Sequence, residues 1–213
     1  MSDCARQSQT APGLANSAPI EHKPWKGSLY CKLGIDGQRL AIVGYSHHGD
    51  DDNEDYTIKS IRNAILGNPD GAFFNLIRNY FFFESSDEFW ERVMFLNYLP
   101  RSVGCDDKRY ATGTDEQIQQ AKCRFLRVIE QYRPQKVLIL SKKTWWTLPM
   151  TVEETAGRKL KTLGPEFPDF EWGTYRTANN HVVMAFGLRH PQGANGELMR
   201  KAIQRILAMP PVP

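Results

Sequence analysis

Four short apolar runs punctuate the chain, at residues 40–43, 93–96, 137–140 and 182–186. Each has strand length, lacks polar alternation and is followed by a break in the apolar pattern, which reads as a strand buried on both faces. Helical spacing fills the intervals. Ile58, Ile61, Ile65 and Leu66 recur at helical period over residues 56–66, and residues 198–207 form a closing amphipathic helix. Thr114 and Gln117 have the spacing of a capping box. The helix they open carries Ile118, Ala121, Phe125, Val128, Ile129 and Tyr132 on one face, with Pro134 just beyond its end. Asn68-Pro69-Asp70-Gly71 predicts a turn, and Ser86-Asp87-Glu88 opens a short helix through Phe89 and Trp90. Strands alternating with helices imply an α/β fold. The expected architecture is three layers, α/β/α, around a central, mostly parallel four-stranded sheet.

The remaining segments set the expected domain limits. Residues 1–24 are rich in Ser, Ala, Gln and Pro and are expected to be a flexible tail. Residues 25–209 then form a single α/β domain, with an irregular insertion or hairpin at about 151–180, and residues 210–213 form a C-terminal tail. The aromatic block at 72–83 is assigned to the core.

Composition narrows the classes. The 213 residues suit one domain. No apolar run reaches the length of a membrane span, and the N-terminus lacks a signal-peptide core. A cytoplasmic monomer without membrane association is expected. Cys4, Cys31, Cys105 and Cys123 form no CxxC pair, which predicts reduced thiols rather than a zinc ribbon or a disulfide framework. The formal net charge of +3 permits a nucleic-acid partner without demanding one.

The candidate chemistry lies where the strands end, at GYSHHGD, NYLP, SKK and RHPQ. Parallel strands bring their carboxyl ends to one edge of the sheet, where ligands bind in open α/β folds. Gly44 permits close approach of a ligand to the backbone. Asn97 offers the acceptor and two donors needed to read an amide edge. His190 can support an oxygen that becomes negative. Adjacent His47 and His48 point in different directions and lack a metal-binding spacing, so neither a metal nor another cofactor is expected.

These segments together resemble the uracil-DNA glycosylase superfamily. The pieces that carry the resemblance are residues 40–49, 94–100, 134–146 and 182–192, in matching order and spacing over most of 38–208. The stretch FWERVMFLNYLPRSVG also resembles a divergent bacterial branch of it. The resemblance implies hydrolysis of the N-glycosidic bond of a deaminated or modified base flipped out of DNA. Asn97, with Gly44, Tyr45, Ser46 and Tyr98, would hold the base, and His190 would support the departing base anion. An aromatic ring would stack on the base. Lys142, Lys143, Arg189, Gln192 and Gly193 would meet the nucleic acid, and residues 192–195 would press into the minor groove. The first loop departs from the family, carrying Tyr45 and Ser46 where members carry a carboxylate or an amide. His47, His48 or Asp50 would have to activate water instead. Two alternatives follow: a binding module for nucleic acid or free nucleobase without chemistry, or a metal-assisted hydrolase of small molecules or nucleotides.

Overall fold

The computed structural model describes residues 21–48, 53–68, 71–103 and 111–212. Asp50, Gly49 and the expected N-terminal tail up to residue 20 lie outside them. The first segments are β1 (Trp25–Lys26), β2 (Leu40–Gly44), α1 (Tyr56–Ile65), α2 (Ala72–Asn79), α3 (Ser86–Arg92) and β3 (Met94–Asn97). Next come α4 (Asp115–Tyr132), β4 (Lys136–Ile139), α5 (Lys142–Thr147) and α6 (Val152–Thr155). The chain continues with β5 (Lys161–Thr162), β6 (Glu171–Arg176), β7 (Val182–Gly187) and α7 (Gly196–Ala208).

The four apolar runs are β2, β3, β4 and β7, and they pair in parallel in the order β3-β2-β4-β7. The expected four-stranded sheet is incomplete, because the sheet has seven strands and is mixed. At one edge β1 pairs antiparallel with β3. At the other, the region expected to be an insertion folds back as β6, antiparallel to both β7 and β5. Its strand is hard to see in sequence because Gly173, Thr174 and Arg176 dilute the apolar signal.

Residues of the parallel strands alternate between two cores. Leu40, Ile42, Phe95, Leu138 and Phe186 face one layer, packing against Ile61, Phe74, Trp90, Ile203 and Ile206. Ala41, Val43, Leu96, Val137, Ile139 and Val183 face the other, against Ala121, Phe125, Val128 and Ile129 of α4. The period of two thus splits each run between faces that are both covered by helices. The Thr114–Gln117 capping box is present at the start of α4.

Two details correct the sequence-based expectations, and a third adds to them. Residues 21–24 are packed rather than loose: His22 is 1% exposed, and its amide donates to the Pro100 carbonyl. Cys31 is a free thiol, but Cys123 on α4 is disulfide-bonded to a residue outside those described. Lys136, which opens β4 just before its apolar run, is fully buried and donates to the carbonyls of Ile206, Leu207 and Met209. It closes the C-terminal turn of α7, whose last carbonyls have no partner within the helix.

Candidate functional site

The order β3-β2-β4-β7 contains a topological switch point. The chain leaves β2 toward β3 on one side and later returns to β4 on the other. The loops after β2 and β4 therefore diverge at the carboxyl edge, the position where open α/β sheets form ligand crevices.

Gly44 and Asn97 end their strands in register there. A methyl group on Gly44 would lie 2.3 Å from Asn97 Oδ1 and 3.3 Å from Phe95 Cζ. Glycine is thus required by the Asn97 side chain itself. Asn97 is 5% exposed, and its side-chain amide, which no described residue pairs, keeps contact with solvent at the strand end. Its backbone is fixed from below by Arg124 of α4, a buried guanidinium that donates to the carbonyls of Asn97 and His22. Glu21 lies 3.5 Å from Arg124 Nε. Burial lowers the Arg124 pKa to about 10, and Glu21 opposes that shift.

The loops after β2 and β3 run on side by side. The amides of Tyr98, Leu99 and Val103 donate to the carbonyls of Gly44, Tyr45 and His47. This pairing fixes the directions of the two histidines. His47 turns inward, 2.9 Å from Thr57 Oγ1 through Nε2 and edge-on to Tyr56 and His22. Burial, then the charges of His22 and His48, push its pKa down to about 3. It is a neutral packing residue. His48 turns outward and is exposed, with Nδ1 3.3 Å from the Val103 carbonyl.

His190 follows β7 and opens the 3-10 turn Pro191–Gly193. One face of its ring stacks on Phe73 of α2 at 5.5 Å and 27°. Desolvation, then the charge of His48, lower its pKa, so at neutral pH the ring is an uncharged donor. Phe73 in turn lies 6.4 Å from Phe95. A chain of contacts thus runs from Gly44 and Asn97 through buried Phe95 and half-buried Phe73 to His190. Phe73 packs against the core, as the sequence predicts, and its half-buried ring also meets His190. Its half-buried position at the start of α2 sets it apart from buried Phe74, but the unbroken aromatic block hides that difference.

The other expected residues take supporting positions. Tyr45 Oη accepts from the Gly113 amide at 3.0 Å, and its ring carries Lys143 Nζ at 4.4 Å. Lys143 also donates to Thr112 Oγ1, so this pair fills the α4 side of the switch point. Tyr98 Oη donates to the Thr147 carbonyl at 2.7 Å. Ser46 Oγ is buried and has no hydrogen-bond partner among the described residues. Lys142 donates to the carbonyls of Asp169 and Gly187, and Arg189 pairs with Asp169. These two residues line a cavity of about 370 Å³ with Trp146, Asp169 and Glu171. Its cations are matched by carboxylates, so it is poorly suited to phosphate. Gln192 and Gly193 are exposed on the turn, and Asn195 caps α7 through the amides of Glu197 and Leu198. Among the described residues, no group of three His, Cys, Asp or Glu side chains is placed to hold a metal.

No protein-family model matches the sequence, and no curated protein matches it either. No helix among the described residues is long and apolar enough to cross a membrane.

Proposed function

We propose that the carboxyl edge of the sheet binds a nucleobase and that the protein is a DNA N-glycosylase acting on a flipped-out, deaminated or modified base. The observation that carries this reading is the Asn97 amide. Asn97 ends β3 on a nearly buried side chain, its backbone carbonyl held from below by Arg124, in the space that the missing Gly44 side chain leaves free. The amide atoms keep contact with solvent, so a ligand that replaces water there can take up its donors and acceptor. A base edge supplies one acceptor and one or two donors in a single plane.

In this reading Phe73 stacks on the base, as aromatic rings do in sites that take an extruded base. Neutral His190 donates to the base oxygen on which negative charge develops as the glycosidic bond breaks. His48 stands beside it, exposed, as the group that orients water. The uncharged state of His190 suits this role: a neutral donor stabilises the leaving anion without a proton that must first be taken up.

A second reading, binding without hydrolysis, is favoured by one observation. Tyr45, which with Ser46 stands where members of the resembled family carry a carboxylate or an amide, is pinned to Gly113 and Lys143 and offers no base. The discriminating experiment uses oligonucleotides carrying uracil, hypoxanthine or xanthine, with free base measured by mass spectrometry. Hydrolysis requires release by the wild type and a loss of about a hundred-fold or more in His190→Ala. Binding of the same strands with no release of any base identifies the binding module.

A further inference from the structure

Phe82 lies just past the C-terminal end of α2 with φ of +59°, a left-handed conformation that bulky side chains rarely adopt. Glycine is the usual occupant of such positions. Its neighbours explain how it is held. Phe81 is buried, and Phe83 packs on Phe89 at 5.6 Å. With these two turned inward, the Phe82 ring is turned out and is 60% exposed. Folding would be easier with a glycine here, so the exposed ring is not explained by the needs of the core.

The ring borders a cavity of about 430 Å³, lined also by Arg78, Phe83, Glu84 and Arg200. The Arg200 guanidinium stands 6.0 Å from the Phe82 centroid. Arg78 donates to the Glu84 carbonyl and to Asn79 Oδ1. Neither arginine forms an ion pair among the described residues, and Glu84 is the only carboxylate among the lining residues. The local balance is therefore positive. This cleft connects directly to the His190 turn: Tyr80 Oη donates to the Pro191 carbonyl at 3.0 Å. Phe73 lies on α2 and Phe82 on the turn that follows it, so the two rings belong to one continuous segment.

We propose that the Phe82 cleft is an auxiliary nucleotide subsite. The Phe82 ring stacks on a base of the bound strand a few nucleotides from the flipped one, and Arg200 holds the adjoining phosphate. This rests on the nucleic-acid reading of the His190 site. Arg200 Nε donates to the Gly196 carbonyl at 3.3 Å, and an exposed ring beside a guanidinium that forms no ion pair is the combination that grips single strands without reading their sequence. It also gives the chain a nucleic-acid contact that the charge-matched Lys142 and Arg189 do not supply.

Fluorescence anisotropy with a labelled twelve-nucleotide single strand and a labelled dinucleotide tests the proposal on the full chain. Phe82→Gly and Arg200→Gln should each weaken the longer strand about ten-fold and leave the dinucleotide unchanged. Arg200→Gln should also reduce the salt slope by about 0.7. Phe82→Gly should not lower the thermal midpoint, because glycine takes the left-handed conformation without strain. Affinities within two-fold of wild type, or a wild type that binds no strand, overturn the proposal. A change of sedimentation in Phe82→Gly at unchanged affinity assigns the patch to a second copy of the chain and overturns it too. Failure of the glycosylase reading looks different: no base is released, while the loss of affinity at Phe82 persists.

Discussion

Gly44 and Asn97 show how a single missing methyl group makes room for a polar side chain. The Asn97 oxygen occupies the space a Cβ at residue 44 would need. Gly44→Ala must therefore displace the amide or shift the strand end. The expected cost is about 1–3 kcal/mol, measured by urea unfolding, together with loss of base binding. The glycine and the asparagine were both legible in the sequence as strand-end residues. Their mutual contact was not, because it depends on the β2–β3 register. The histidine pair was also partly legible, since neighbouring residues in extended chain face opposite ways. Which one faces inward depends on Thr57, Tyr56 and His22, three residues from two other segments. Inward His47 has a measurable consequence. Its folded pKa of about 3 lies below the unfolded value, so the unfolded chain takes up a proton that the fold refuses. Its contribution is fully present above pH 6.5 and is lost as pH falls from there toward 3. Stability should drop by about 2 kcal/mol between pH 8 and pH 5 through this residue alone. His47→Gln, which keeps a partner for Thr57, should flatten that part of the profile in urea titrations.

Elements hold the site from outside it. Arg124 lies within the apolar stripe of α4, three residues after Ala121 and four before Val128. A charge at that spacing is a visible irregularity in the sequence, but its target is not, because Asn97 and His22 reach it from distant segments. Lys136 is a parallel case on β4, where one charged residue opens an apolar run and ties the end of α7 to the sheet. Lys136→Met keeps the stem volume and removes three hydrogen bonds from carbonyls at and just beyond the end of α7. The expected loss is about 2 kcal/mol in urea unfolding, with fraying of α7 visible as faster amide exchange at residues 203–208. The insertion was the least legible element. Periodicity over 171–176 is weak, and β6 is fixed by pairing with β7, a strand that follows it in the chain.

At the scale of the whole molecule, the four apolar runs identified the parallel centre of the sheet and its covered faces. They did not reveal its edges, where short or polar strands add by antiparallel pairing. Sheet order, not any motif, puts Gly44 and Asn97 on adjacent strands and brings His190 back toward them across Phe73 and Phe95. That arrangement sets the Asn97 amide and the His190 ring at the two ends of an aromatic run through Phe95 and Phe73. Its most direct test is single-turnover release of base from single-stranded oligonucleotides carrying uracil, hypoxanthine or xanthine. Wild type should release at least one of these bases well above the spontaneous rate. His190→Ala should lose about a hundred-fold or more of that rate at pH 7.5, and Asn97→Ala should lose preference among the bases. A wild type that releases none of them, or a His190→Ala variant that works at the wild-type rate, contradicts the assignment.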